Sequence, residues 1–441
     1  MQRDMTTGKE WKHILFFAVP VMLGNIIQQL YSIFDGIVVG NFVSEEALSS
    51  ISTSAPLIIL FLALSIGLAM GSGIIVSQKF GAKQLDDMRA TVSTVLLLGT
   101  VTGVFLSAVG FVLTPILLRH MLGVPPEILD MAILYLRTIA ASLVFLFIFN
   151  TIASILRAIG NAKVTLYFLI ATTVFNVILT LFAVVIMGWG VAGAGVSTLL
   201  SKMFSAVIAY IYMVKKYEYL RPVRAFDILV CKRALRLSLP IGVQHSVLAI
   251  AYMAMGRLVN SFEVFGIASY AVAMRIDGFV FIIMLSFNNS MTTFAGQNIG
   301  AGRLDRVKKG FVQTQGMATG AGIVMAAGLF IFAPVLVGLF GLTGEAMARS
   351  VEQIRFVAPW LILLTPSLIV NGTLKGAGDV MFPTVATTLD LIVRVGLAYA
   401  FVYWGVLGYS AAWVTMPVGW ALLLPLTLWR YHSGKWKTMR V

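Results

Sequence analysis

Residues 77–87 read SQKFGAKQLDD and residues 296–306 read GQNIGAGRLDR, so one pattern returns after 219 positions. A second pattern, LRAIGNAKVTL at 156–166, returns after 218 positions as LKGAGDVMFPT at 374–384. Segments that recur in the same order at nearly one offset indicate an internal duplication with a period of about 220 residues. The further matches at a similar offset are Pro20 with Pro240, and WGVAGAG at 189–195 with WGVLGYS at 404–410.

Long apolar runs flank each repeated segment. Hydrophobic residues make up 59% of the 441 residues and charged residues 11%, against roughly 25% charged residues in an ordinary soluble domain. The mean hydropathy is +0.93. A chain of this composition lacks the polar residues that a water-exposed surface requires, so it is predicted to fold in lipid.

About twelve of these runs are long enough to span a membrane, because a spanning helix needs about 20 predominantly apolar residues. Each copy of the duplication contains six spans, an even number, so both copies enter the membrane in the same direction. A pseudo-two-fold axis along the membrane normal then relates them. We therefore predict an all-α integral membrane protein of about twelve transmembrane helices in two six-helix bundles. The predicted spans are 13–40, 46–76, 91–116, 131–156, 163–187, 191–214, 236–260, 266–297, 311–340, 353–374, 381–403 and 408–430.

The basic residues predict the orientation of the chain. The formal net charge is +14, and Lys and Arg gather in short clusters between apolar runs, as the positive-inside rule describes. They are dense in the loop at 215–236 and absent from GNFVSEE at 40–46. Both termini and the even-numbered loops are thus predicted to be cytoplasmic, in the cytoplasmic membrane of a bacterium or archaeon. The predicted division is an N-terminal lobe at 1–214, a cytoplasmic linker loop at 215–235 and a C-terminal lobe at 236–441.

Several function classes are disfavoured by motifs that the sequence lacks. No basic stripe is interleaved with aromatic residues, so no nucleic-acid partner is expected. GLAMGSG at 67–73 is glycine-rich but lacks the Lys-Ser/Thr of a phosphate loop. The chain also has no Cys/His metal cluster and no nucleophile-base-acid set, and its single cysteine, Cys231, cannot form an intrachain disulfide. We expect neither an enzyme nor an ATP-driven pump, and no cofactor or structural metal.

The chain resembles the multidrug and toxic compound extrusion (MATE) transporters over essentially its whole length. The resemblance rests on AVPVMLGNIIQQLYSIFDGIVVG at 18–40, on the paired QKFGA and QNIGA loops, and on ILRAIGNAKVT at 155–165. It implies efflux of drug-type compounds, driven by inward movement of protons or sodium ions. We accordingly expect small amphipathic or cationic substrates and a monomeric transporter embedded in the lipid bilayer.

Asp35 is the leading candidate for binding the coupling ion or the substrate. A carboxylate at the centre of a spanning helix costs about 2.5–3.5 kcal/mol on insertion scales, so it usually faces a cavity or a partner. Its position also matches the helix-1 aspartate of the family that the chain resembles. The alternative is a solvated aspartate at the membrane interface. Gln28 and Gln29 lie one to two turns away and either share the cavity or form interhelical hydrogen bonds.

Helix 5 departs from the pattern that the family often has, Asn-x-x-x-Asp. The sequence FNVILT keeps Asn176 but has Thr180 where the second carboxylate stands. With Asp35 these two residues could form a weak sodium site. Protons are the favoured coupling ion, with sodium as the alternative, because a proton needs only one carboxylate. The structural alternatives are a helix-packing Asn and a Thr bonded to its own backbone.

The second lobe does not repeat this site. The equivalent of Asp35 is Met255, and helix 7 and helix 10 have no acidic residue in their cores. His245 in helix 7 could carry a proton or serve as a neutral packing residue. Asn150 and Asn371 fall at matching depths of helices 4 and 10 and are further candidates for the cavity.

Four charged residues remain inside predicted spans. Asp390 and Arg394 are spaced i, i+4 on helix 11 and either neutralise each other as a structural pair or take part in coupling. Arg275 and Asp277 in helix 8 are two residues apart, so each needs another partner. The two arginines also leave open a second function, a flippase for lipid-linked saccharide precursors from the same wider superfamily. Secondary antiport of drugs remains the favoured function.

Overall fold

The structure is a computed structural model that describes residues 3–262 and 264–439, without the side chains of Ser32, Ile33, Asp35, Val264 and Phe265. Within these residues the protein is helical, and twelve helices are long and apolar enough to cross a membrane. The predicted all-α architecture is therefore confirmed. In the first half the helices are α1 (Glu10–Phe42), α2 (Glu45–Gly81), α3 (Leu85–Met121), α4 (Pro126–Ala158), α5 (Ala162–Ile186) and α6 (Gly190–Lys216). In the second half they are α7 (Ile228–Val259), α8 (Val264–Gly300), α9 (Leu304–Gly338), α10 (Gly344–Ala377), α11 (Met381–Tyr403) and α12 (Ala411–His432).

Local signals determine where these helices begin and end. The Ser44 hydroxyl accepts a hydrogen bond of 3.1 Å from the backbone N–H of Ala47 and so caps the start of α2. Pro126 occupies the first residue of α4, where a missing N–H is tolerated. Gly378 ends α10 with a φ of +95°, a conformation that glycine adopts without steric cost.

The contacts divide the chain into two compact units whose bounds differ from the predicted lobes. The first unit contains Leu23–Ser246 and the residues up to Asp4, and the second contains Met5–Met22 and the residues from Val247 onward. Both α1 and α7 are therefore shared between the units, with Pro20 and Pro240 inside them shortly before each change. The reason is that the chain ahead of each helix packs on one unit and the end of the helix on the other.

In the first unit, α4 is the central helix and packs against α2, α3 and α6. Small residues permit this close approach. A Cβ atom at Gly99 of α3 would lie 2.7 Å from the Thr151 hydroxyl of α4. Helices in lipid associate through such contacts, because lipid supplies no hydrophobic force between them.

In the second unit, α10 has the corresponding place and packs against α8, α9 and α12. A Cβ atom at Gly372 of α10 would lie 2.6 Å from the Asn288 carbonyl oxygen of α8. Helix 4 and its partners α2, α3 and α6 thus recur as α10 with α8, α9 and α12. The duplication seen in the sequence is a duplication of helix packing.

The second copy of the repeated motif binds the chain ahead of α1. The Met5 N–H donates to Gln297 Oε1 at 2.9 Å, and Asn298 Nδ2 donates to the Met5 carbonyl at 3.2 Å. Arg306 donates to the same carbonyl at 3.2 Å and forms an ion pair of 2.9 Å with Glu10. Met5 is fully buried. These bonds explain why Met5–Met22 belongs to the second unit.

The chain ahead of α7 is held in the same way on the first unit. The N–H of Val223 donates to Ser93 Oγ at 2.7 Å, and the N–H of Asp227 donates to Thr94 Oγ1 at 3.0 Å. Both hydroxyls belong to α3. The segment predicted as a linker loop is therefore an ordered part of the first unit.

We predict that Arg306→Ala lowers the free energy of unfolding by about 2 kcal/mol, because charge-assisted hydrogen bonds of this kind are the stronger ones in proteins. The measurement is thermal unfolding of the detergent-solubilised protein by intrinsic fluorescence. Lys309→Ala, an exposed basic residue on the same helix, is the control and should leave the transition unchanged. Equal transitions for both variants would contradict a stabilising role for Arg306.

Candidate functional site

Helix α6 of the first unit contacts both α1, which contains Asp35, and α5, which contains Asn176 and Thr180. The hydroxyls of Tyr31 on α1 and Thr198 on α6 lie 3.5 Å apart. The rings of Phe175 on α5 and Phe204 on α6 pack with their centroids 4.5 Å apart. Helix α6 is therefore in contact with both other helices inside the span.

Asn176 and Thr180 form a buried pair on α5. The Thr180 hydroxyl donates to Asn176 Oδ1 at 3.3 Å. Thr180 is 0% exposed and Asn176 is 3% exposed. Their i, i+4 spacing puts them on one face of the helix, as the sequence predicts. Thr180 bonds a side chain here rather than its own backbone. The pair offers uncharged oxygen ligands and no second carboxylate.

Asp35 lies one turn after Tyr31 in α1, and its side chain is outside the part of the chain whose side chains are described. The helical register places residues 31 and 35 on the same face of α1. Tyr31 is a residue of that face that contacts α6. The roles of Asp35, Asn176 and Thr180 in ion binding remain predictions.

Lys202 is a residue of this site that the sequence analysis did not single out. It is the thirteenth residue of the 27 in α6 and lies one turn after Thr198. Its side chain is half-buried, and no other described side chain forms a hydrogen bond with its ammonium or an ion pair within 4.0 Å. The signal that could have revealed it is a lysine in the middle of an otherwise apolar run, among Ser and Thr residues. An unpaired cation at this depth is unfavourable, which indicates a functional reason for its presence.

The two glutamines of α1 are exposed. Neither Gln28 nor Gln29 forms a hydrogen bond with another described residue. Interhelical hydrogen bonding, one of the two interpretations of these amides, is therefore not seen within the described residues. Their participation in a cavity stays a prediction.

The other uncharged candidates lie on different helices. Asn150 Nδ2 donates to Ser65 Oγ at 2.9 Å and so joins α4 to α2, which favours a packing role. Asn371 is buried in α10, and its Oδ1 has no hydrogen-bond partner among the described residues. His245 is half-buried in the part of α7 that belongs to the first unit. None of these three residues lies on α1, α5 or α6.

The charged candidates of the second unit differ in burial. Arg275 is exposed, whereas Asp277, Asp390 and Arg394 are at most 6% exposed. Asp390 and Arg394 lie on one face of α11, as their spacing predicts. However, no ion pair within 4.0 Å joins them.

The fold and these polar residues inside the spans define a membrane transport protein built from two copies of one helical unit. The MatE family model matches residues 20–182 and 240–400, once in each half. The chain therefore belongs to the MatE family, that is, to the MATE transporters, and the two matches confirm the internal duplication. Members of the family are transporters, and similar curated proteins include probable multidrug resistance proteins and a multidrug export protein.

Two similar curated proteins illustrate this. The probable multidrug resistance protein YoeA of Bacillus subtilis is 26% identical, with 100% of this chain and 98% of that protein aligned. The multidrug export protein MepA of Staphylococcus saprophyticus is 21% identical over 95% of this chain and 91% of its own length.

Solved structures show the same fold. An outward-facing multidrug resistance MATE family transporter of the MOP superfamily superimposes with a TM-score of 0.91 at 23% identity, covering 98% of each chain. A MOP superfamily transporter from Pyrococcus furiosus, described as having a binding pocket of reverse polarity, gives a TM-score of 0.91 at 23% identity. That match covers 99% of this chain and 98% of the other.

We predict that Lys202→Met makes the protein more stable but a poorer transporter. Removing an unpaired ammonium from the middle of a span should relieve roughly 2–3 kcal/mol of unfavourable insertion free energy. The measurements are thermal unfolding in detergent and the drug resistance that the variant confers at equal membrane abundance. Lys216→Met, at the exposed end of the same helix, is the control. Unchanged resistance for Lys202→Met would show that Lys202 has no part in transport.

Proposed function

We propose that the protein is a secondary antiporter that exports amphipathic compounds, cationic ones among them, in exchange for protons. The observation that carries the proposal is the polar group on α1, α5 and α6 in a chain of the MATE family. It includes the Asn176–Thr180 pair, Thr198 and Lys202, and Asp35 is the carboxylate that the register of α1 assigns to the same face as Tyr31. We further propose that the transporter acts as a monomer.

Protons are preferred to sodium on electrostatic grounds. Sodium sheds water on entering a site and needs fixed negative charge in return. Asn176 and Thr180 supply none, and Lys202 adds a positive charge on the adjoining helix. A proton needs one carboxylate alone, and withdrawal from water favours the protonated form of a carboxyl group. Exchange follows if Asp35 binds either the proton or the substrate and never both.

Lys202 also supports a second candidate function, the export or flipping of anionic amphipaths such as lipid-linked saccharide pyrophosphates. A half-buried ammonium attracts phosphate and carboxylate groups and repels cations. A relative of the same fold is described as having a pocket of reverse polarity, so both polarities are compatible with this architecture. Dyes of both charges are therefore needed to identify the substrate class.

We predict that dye movement in proteoliposomes follows an imposed pH gradient in sodium-free buffer, and that Asp35→Asn abolishes it while leaving the protein folded. Asparagine keeps the size and hydrogen bonding of the side chain but cannot gain or lose charge. The measurement is fluorescence of ethidium as the cationic probe and of carboxyfluorescein as the anionic one. Asp130→Asn, an exposed aspartate of α4, is the control.

The possible outcomes separate the alternatives. Transport that requires a sodium gradient would contradict proton coupling. Export of carboxyfluorescein alone would favour the anionic substrate class. Wild-type transport by Asp35→Asn would remove Asp35 from the mechanism.

We also propose that both termini and the segment ahead of α7 are cytoplasmic, in a bacterial or archaeal cytoplasmic membrane. The supporting observation is the high density of Lys and Arg in residues 215–236. Cys231 in α7 is the single cysteine of the chain and is half-buried, so it serves as a reporter.

We predict that a membrane-impermeant maleimide does not label Cys231 in intact cells and labels it after permeabilisation. A Met187→Cys substitution on a Cys231→Ser background is the positive control, because residue 187 follows α5 at the opposite predicted side and is 47% exposed. Labelling of Cys231 before permeabilisation would reverse the orientation.

A further inference from the structure

Three charged side chains are buried together in the second unit. Asp277 on α8 is 5% exposed, and Asp390 and Arg394 on α11 are 5% and 6% exposed. All three lie inside spans, where a charged group is normally paired or functional. The guanidinium of Arg394 interacts electrostatically with both carboxylates. The group therefore has two carboxylates for one cation.

An apolar cluster next to these residues contains side chains of both helices. Tyr270 of α8 and Ala398 of α11 belong to one buried apolar cluster, with Met274 of α8 packed against it. Asp277 follows Tyr270 by about two turns on α8, and Arg394 precedes Ala398 by one turn on α11. Asp277 and Arg394 therefore each lie within two turns of a residue of the same buried apolar cluster.

The hydrogen bonds of this group are incomplete. Asp277 Oδ2, Asp390 Oδ1, and Nε and Nη2 of Arg394 have no partner among the described residues, and neither does the hydroxyl of Tyr270. No ion pair within 4.0 Å joins Arg394 to either carboxylate. Asp390 Oδ1 instead lies against the backbone of Gly419 on α12, in the space that a Cβ atom there would fill.

A purely structural ion pair looks different in the same unit. Arg430 Nε contacts Asp379 Oδ2 at 2.7 Å, and both side chains are at most 12% exposed. That pair balances one charge against one charge in direct contact. In the group around Arg394 the charges are unequal in number, and no described carboxylate is in direct contact with the guanidinium. A role in stabilising the unit therefore does not explain why these charges are buried.

We propose that Asp277, Asp390 and Arg394 form a proton-binding site within the second unit, in which the two carboxylates together bind one proton. With both carboxylates ionised the group would carry a net charge of −1 in a medium of low dielectric, which is strongly unfavourable. One added proton makes it neutral. The other titratable groups that act on it are Tyr252 of α7 and Tyr270 of α8.

The site is separate from Asp35, which belongs to the first unit. Its use in coupling rests on the proposed antiport function, whereas proton binding itself does not. A second proton site in the other copy of the duplicated unit would allow each unit to respond to protonation. Neither helix 7 nor helix 10 then needs an acidic residue in its core.

The test is infrared spectroscopy of the purified Asp35→Asn protein, which removes any contribution of Asp35. A protonated carboxylic acid gives a C=O band that ionised carboxylates lack. We expect this band to be present at neutral pH. It should disappear in both Asp277→Asn and Asp390→Asn, because one carboxylate then balances Arg394 and no proton is needed.

Arg394→Gln makes the opposite change. Without the cation both carboxylates should be protonated, and the band should grow about twofold, which a misfolded protein would not produce. Asp130→Asn is the control and should leave the band unchanged. A band that is absent from the parent protein, that survives either single substitution, or that does not grow in Arg394→Gln would overturn the shared proton site.

Discussion

The fold depends on one constraint: a polar group inside a lipid bilayer must be satisfied by the protein itself. Backbone amides meet it by forming helices, which bond every N–H and C=O internally except at the ends. The ends are then satisfied locally, as Ser44 does for α2. Because lipid supplies no hydrophobic driving force for helix association, close contacts at small residues such as Gly99 and Gly372 stabilise each unit. The same contact pattern, built around α4 and again around α10, reflects the duplication.

Charged side chains follow the constraint in two different ways. At the helix ends, charged side chains form direct ion pairs, such as Arg306 with Glu10 and Arg430 with Asp379. Such pairs stabilise the packing of terminal segments and loops within each unit. Inside the spans, Lys202 and the group around Arg394 remain without direct ion-pair contacts among the described residues. Unfavourable charges of the second kind persist in membrane proteins where ions or substrates interact with them.

The two units are consequently alike in packing but different in chemistry. The first unit combines the Asn176–Thr180 pair with Lys202, and the second contains two carboxylates around Arg394. The helix packing recurs in both units, whereas the polar residues inside the spans differ between them.

The sequence by itself determined the number of helices, their approximate bounds, the duplication and the common face of Asn176 and Thr180. These features follow from apolar length and from helical periodicity, which act within single segments of the chain. Only the tertiary structure decided that Asp390 and Arg394 stay apart and that Met5–Met22 belongs to the second unit. It also showed that Lys202 lies on the helix that meets both α1 and α5. An i, i+4 spacing does not show whether two charged side chains are in direct contact. Their positions depend on neighbours such as Gly419, which is distant in sequence and comes close only after the helices pack.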